Sequence, residues 1–158
     1  MIRMRILPLL LALGLAACGG QTARHAAHDV PVDAARAAAL ISQYRAAHGL
    51  GPVTVDAGLA RVAAAQARRN AQIGDLSHDI GGDFPVRLAS FGAADRARAA
   101  ENLAGGSATL DGTISQWKAS AGHNRNLLMR EARHFGIARA DAPTTRYKHF
   151  WALVMAER

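Results

Sequence analysis

Apolar positions recur at helical spacing through the first half of the chain and crowd into short extended runs in its last quarter. Ala37, Leu40, Ile41, Tyr44 and His48 return every three or four residues, which predicts a helix opened by Pro31, aided by Asp33 and stopped by Gly49. After a Gly51-Pro52 turn, Asp56 is a natural N-cap for a second helix running to about Ile73. Leu59, Val62, Ala63, Gln66, Asn70 and Ile73 line one side of it, while Arg61, Arg68 and Arg69 fall mostly on the other. Its alanine-rich face predicts close approach to a neighbouring layer. Gly74-Asp75 ends this helix, Gly81-Gly82 marks a loop, and Phe84 to Phe91 reads as a short helix starting near Pro85 and ending at Gly92. Ala99 to Ala104 reads as a strand before Gly105-Gly106, and Leu110 to Ala121 as a third good helix. Phe135 to Ala140 and Tyr147 to Ala156 read as the last two strands, joined through Asp141-Ala142-Pro143. Helices early and strands late predict an α+β domain, with helices flanking a small, mainly antiparallel sheet.

One stretch resists a single-helix reading. Trp117, Ser120, His123 and Asn126 recur every third residue across Gly122, and one helix turning about 100° per residue would carry the last of them to the side opposite the first. Two short helices meeting near Gly122 would instead pair Trp117 with Ser120 and His123 with Asn126, leaving Ser120 and His123 at a bend.

The start of the chain changes the picture from a plain globular domain to an exported one. Arg3 and Arg5 precede an apolar run, Ile6 to Ala17, that is too short to span a bilayer and reads as a secretory signal over residues 1–17. Leu15-Ala16-Ala17-Cys18 resembles the bacterial lipobox, which would make Cys18 the lipidated first residue of the mature protein; the plainer alternative is an ordinary signal peptide cut nearby. Residues 18–30 then read as the lipidated cysteine and a flexible tether, and residues 31–158 as the domain. His25 and His28, within the tether, have a spacing that could bind metal on a helix, but in a tether they are expected to be unpaired.

Removing the signal from the 158 residues leaves 141, enough for one domain with an ordinary core, and lowers the formal net charge from +7 to +5. On an exported chain that excess suits anionic envelope polymers or lipid head groups rather than nucleic acid. The single cysteine excludes an intramolecular disulfide, so the domain must hold by packing alone. A monomer is expected, and Gly19 after Cys18, in place of an aspartate, leans towards the outer membrane if the organism has two membranes.

Four features read together carry the chemistry: Ser77-His78, Ala100-Glu101-Asn102, the Trp117-x-x-Ser120-x-x-His123 stretch, and Phe135-Gly136-Ile137 ahead of Phe150-Trp151-Ala152-Leu153-Val154. In this order, and following Tyr44-Arg45-x-x-His48-Gly49-Leu50, the chain resembles the CAP superfamily of cysteine-rich secretory, antigen-five and pathogenesis-related proteins, especially its bacterial SCP-like branch. The resemblance implies an α-β-α sandwich and a cleft lined by two histidines and acidic groups. It assigns His78 and His123 as the cleft histidines and Glu101 as the glutamate of the Glu-Asn motif. Ser120 stands where many eukaryotic members carry a second glutamate, and Phe84-x-x-Arg87 resembles the bacterial stretch preceding the Glu-Asn strand. Trp117 and Trp151 are expected in the core. His134 and His149 are expected to be surface or satisfied core residues, and Asn102 and Asn126 to fix local backbone or neighbouring side chains.

Two imidazoles and a carboxylate with an open fourth position suit zinc, so His78, Glu101 and His123 are candidate metal ligands. The same groups could instead form a hydrogen-bonded cluster in which Glu101 raises the histidine pKa values. A Ser120–His123 nucleophile–base pair lacks a Gly-x-Ser-x-Gly elbow and an evident oxyanion hole, which favours a capping or hydrogen-bonding role for Ser120. The functional expectation is a lipid-anchored envelope protein whose cleft binds a lipid, a sterol or a cell-wall component. The alternative is a hydrolase, metal-assisted or not, acting through the same cleft.

Overall fold

The computed structural model describes residues 24–91 and 98–157. The signal sequence, the lipobox and Cys18 lie outside these residues, as does the Gly92 helix stop. Ten elements follow in chain order: β1 (His28–Val30), α1 (Ala34–Ala46), β2 (Thr54–Val55), α2 (Ala57–Ile73), α3 (Phe84–Ser90), β3 (Ala99–Gly105), α4 (Leu110–Ala119), α5 (Ala121–Leu127), β4 (His134–Ala142) and β5 (Lys148–Ala156). No helix among the described residues is long and apolar enough to cross a membrane.

The local signals act where the sequence puts them. The Asp56 carboxylate accepts from the Leu59 backbone N–H at 2.8 Å to start α2, and Gly74 ends it in the left-handed region at φ +72°. Asp33 caps α1 in the same way, accepting from Arg36 N at 2.9 Å, so the helix begins after Asp33 rather than at Pro31.

The sheet runs β1-β4-β5-β3 with antiparallel neighbours, and β2 adds a short parallel pairing to the beginning of β4. β5 lies between β4 and β3 and is covered on both faces, which explains its nearly unbroken apolar run. Its side chains alternate between two cores. Phe150, Ala152, Val154 and Ala156 pack with Leu59, Val62, Ala63 and Ala67 of α2, whereas Trp151, Leu153 and Met155 pack with Ile41 of α1, Trp117 of α4 and Leu127 of α5. The result is an α-β-α sandwich, with α2 and α3 on one side and α1, α4 and α5 on the other. α2 approaches so closely that a Cβ on Gly136 of β4 would fall 2.1 Å from the backbone of Leu59 and Ala60. Trp117 and Trp151 are buried in the core, as expected.

Arg45 is fully buried and spends its guanidinium on four backbone carbonyls, those of Gly51, Leu127, Met129 and Ala132. It thereby ties the end of α1 to the chain between α5 and β4. Burial lowers its pKa, with Arg133's charge adding to the effect.

Three expectations require correction. The tether does not extend to residue 30: His25 N donates to Gln72 O at 2.8 Å, and β1 pairs with β4 from His28↔Asp141 to Val30↔Arg139. That segment has no apolar period because a short edge strand is held by backbone bonds. The break between α4 and α5 falls at Ser120, not Gly122; Ser120 is extended at φ −97° and ψ 120°, and its carbonyl accepts from Asn124 N to start α5. Finally, Ser120 occupies the capping position without its hydroxyl capping anything, since no side-chain cap bond forms there.

Candidate functional site

β3 is the outer strand beyond β5, so groups from both helical layers reach its free edge. Alternation along β3 divides the Glu-Asn pair. Leu103 belongs to the α2 core and Ala104 to the α4–α5 core, which places Glu101 on the α2–α3 side and Asn102 towards α5. Asn102 Nδ2 donates to His123 O at 2.9 Å, and Asn126 Nδ2 donates to Asn102 Oδ1 at 2.8 Å and to Glu101 O at 3.3 Å. Trp117 Nε1 donates to Leu103 O at 3.1 Å. These bonds stitch α4 and α5 to the strand, and Asn102 and Asn126 have the local fixing role expected of them.

On the other side, Glu101 is held by an arginine that arrives from α3. Arg87 NH1 donates to Glu101 Oε2 at 2.7 Å and NH2 to Oε1 at 3.1 Å, a bidentate pair in which both side chains are almost wholly buried. Arg87 also donates to His78 O at 2.8 Å and to Gly82 O at 3.1 Å, and its guanidinium lies over the Phe84 ring. The loop bearing His78 is therefore pinned by Arg87 from one side. From α2, Gln66 Nε2 donates to Ser77 O at 2.6 Å and Asn70 Oδ1 accepts from Ser77 N at 3.2 Å. His78 Nδ1 stands 2.8 Å from Glu101 Oε1. An ionised carboxylate only accepts, so Nδ1 carries the proton and Nε2 is left to the outside, where the side chain is 54% exposed.

His123 comes from α5 in the opposite layer, where its backbone carbonyl is held by Asn102, and a charge on His78 reaches it through space. Burial lowers the His123 pKa, and His78's positive charge lowers it further. The expectation that Glu101 raises the pKa of this histidine is thus reversed: Glu101's charge is engaged by Arg87, and desolvation dominates at His123. Of the three cleft candidates, His78 and Glu101 are in direct contact, whereas His123 shares no side-chain bond with either. An open hollow of about 440 Å³ beside β3 is lined by His78, Asp79, Asp83, Phe84, Glu101 and Asn126, among others; His123 and Ser120 do not line it.

This arrangement does not suit zinc as it stands. Glu101 Oε1 accepts from His78 and Arg87, Oε2 accepts from Arg87, and a guanidinium already supplies the positive charge that a metal would bring. Among the described residues, no three His, Cys, Asp or Glu side chains group as a metal site. Three further histidines have partners away from this site: His25 Nδ1 lies 3.2 Å from Thr144 Oγ1, and His134 Nδ1 lies 3.0 Å from Thr54 Oγ1. His149 joins Arg139 and Asp141. Burial alone would raise the Asp141 carboxyl, but hydrogen bonds and charge from Arg139 and His149 hold it below the usual range.

Arg87 is the functional residue whose partnership the sequence did not disclose. Its signal was present as an arginine one turn after Phe84 in a short apolar helix, but nothing local says which carboxylate it meets.

A family model described as the cysteine-rich secretory protein family, CAP, matches residues 38–155. The chain belongs to this family. Solved structures agree in fold. An outer surface protein of Borrelia burgdorferi aligns with TM-score 0.71 at 19% identity, covering 84% of this chain and 99% of that one. An extracellular protein containing an SCP domain from Bacillus anthracis aligns with TM-score 0.68 at 22% identity, covering 78% of this chain and 40% of that one. A cysteine-rich secretory protein from Staphylococcus aureus aligns with TM-score 0.62 at 17% identity, covering 81% and 40%. This chain therefore spans less than half the length of the latter two. No sequence among curated proteins matches it significantly.

Proposed function

We propose that this is an exported, lipid-anchored CAP-domain protein that binds a polar ligand in the hollow beside His78 and Glu101. The observation that carries the reading is the state of Glu101. Both its oxygens are bonded and its charge is matched by Arg87, so it orients His78 rather than offering a free base. What faces the hollow is His78 Nε2, the exposed carboxylates of Asp79 and Asp83, and Phe84. An open hollow of mixed lining suits a hydroxyl- or amine-bearing cell-wall component better than a sterol or acyl chain, which calls for enclosed apolar walls. Export rests on the signal pattern of residues 1–17 and is supported by the outer-surface, extracellular and secretory descriptions of the structural relatives. The anchor rests on Cys18 within its lipobox-like setting: intact mass of the membrane-extracted protein should carry the acyl addition, and Cys18→Ser should lose it.

Calorimetric titration of the protein with soluble peptidoglycan fragments tests the binding reading. Saturable binding that His78→Ala weakens at least tenfold supports it, while equal binding by wild type and His78→Ala refutes it. A hydrolase is the second reading, favoured by one feature: burial lowers the His123 pKa, the direction that favours the neutral form a general base requires. Release of new reducing ends or amines from the same fragments, lost in His123→Ala, would establish that reading instead.

A further inference from the structure

A second hollow, of about 170 Å³, lies where the beginning of the described chain meets the end of α2 and the back of the His78 loop. Among the described residues its lining is Arg24, Arg69, Gln72, Ile73, Ile80 and Gly81, with no carboxylate. Other arginines along α2 have accounted partners: Arg68 pairs with Asp29, and Arg61 donates to Phe91 O at 3.1 Å. Arg24 and Arg69 have no hydrogen bond or ion pair among the described residues. Arg69 is nonetheless placed rather than loose. Its guanidinium lies flat against Gly81, where φ is +90° and a Cβ would stand 2.6 Å from Arg69 Cζ. The backbone conformation favours glycine there, and any side chain at this position would push the guanidinium aside. The segment carrying Arg24 is docked on α2 by the His25 N to Gln72 O bond.

We propose that this hollow is a phosphate-binding site, with the Arg69 fork and Arg24 as charge partners and the Gln72 amide as a further donor. A pre-placed guanidinium offers paired N–H donors whose geometry matches a phosphate, and a second arginine supplies the charge a phosphodiester needs. Ile73, which is 38% exposed, and Ile80 provide apolar edges suited to the ester arms of such a group. Arg24 follows Cys18 by six positions, a span of at most about 22 Å of extended chain. A lipid anchor at Cys18 would therefore hold the hollow within reach of phospholipid head groups, and a soluble phosphate is the other source. The phosphate chemistry is independent of the ligand proposed for the first hollow; only the membrane source rests on the anchor.

The mature chain carrying Cys18→Ser, titrated with inorganic phosphate while the arginine Nε–H resonances are followed by NMR, tests the site. Arg69 should shift saturably. Arg69→Gln and Arg24→Gln should each weaken binding by roughly tenfold or more, and Arg125→Gln, an exposed arginine elsewhere, should not. Gly81→Ala, which displaces the guanidinium while keeping both charges, should also weaken it, with unchanged melts of the arginine variants separating loss of the site from loss of the fold. Co-sedimentation with phosphatidylglycerol against phosphatidylcholine vesicles distinguishes the sources. Retention on the anionic vesicles that Arg69→Gln abolishes assigns a lipid head group, and phosphate binding without retention assigns a soluble phosphate. No saturable shift at Arg69, or equal losses in Arg69→Gln and Arg125→Gln, would overturn the proposal.

Discussion

Glu101 and Arg87 form a buried ion pair whose two members depend on each other more than the fold depends on the pair. Taking Arg87 away leaves a carboxylate buried with only His78 for company, and breaking such a pair costs about 3–5 kcal/mol. Arg87→Met should therefore lower the urea midpoint sharply, whereas Arg87→Met combined with Glu101→Leu should recover most of the loss, because an apolar pair of similar volume carries no desolvation penalty. Equal destabilisation by the single and double variants would mean that the loop bonds from Arg87 to His78 O and Gly82 O matter more than the charge pair. His123 contributes differently, through pH. Its folded pKa is depressed by burial and then by His78, so below the unfolded value of about 6.5 the unfolded chain takes up a proton that the folded one resists. Stability from this group is present above that pH and is lost as pH falls through the folded pKa. Denaturation midpoints measured from pH 8 down to pH 5 should decline, and His123→Gln should flatten the decline. Asp141, also depressed, acts in a separate window below the carboxylate range, so the two effects do not overlap.

At the scale of elements, the contact between α2 and β4 is set by the absence of side chains. Gly136 lets the backbone of α2 lie directly on the strand, and Ala63, Ala67 and Ala71 keep the rest of the interface equally thin. A methyl at Gly136 has nothing flexible to push aside, since its nearest atoms are backbone of Leu59 and Ala60. Overpacking typically costs about 1–3 kcal/mol, and a backbone clash belongs at or above the top of that range. Thermal melts should show a large loss for Gly136→Ala and almost none for Gly51→Ala, where a Cβ meets open space. A mild effect at Gly136 would mean that α2 can slide away from the sheet without disturbing the core.

At the scale of the whole molecule, the ten elements of the described residues are held without an intramolecular disulfide, because the sequence has one cysteine. Reducing agent should leave a cooperative melt unchanged. The position of β1 makes a sharper test of where the domain begins. A chain starting at Arg24 keeps the β1–β4 pairing and the His25–Gln72 bond, while one starting at Pro31 loses both. The shorter chain should unfold several degrees lower, since each lost hydrogen bond is worth about 0.5–1.5 kcal/mol. Identical melting temperatures would return residues 24–30 to the tether.

The sequence by itself determined the elements whose energetics are local. Asp56 and Gly74 bound α2 because a cap and a left-handed glycine act within one turn of the helix, and the period of α1 and the unbroken apolar run of β5 each follow from the faces they bury. The ordered motifs around His78, Glu101 and His123 were enough to mark the family. Only the tertiary structure decided the rest. β1 and β2 carry no apolar period, and their partner is β4, far along the chain. Ser120, rather than Gly122, breaks the helix because α4 must pack Trp117 into the core while α5 docks on β3 through Asn126. Above all, the carboxylate that residue type alone would offer to zinc is taken by Arg87. Which cation reaches Glu101 depends on where α3 is laid against the sheet, and no pattern within a window of sequence encodes that distance.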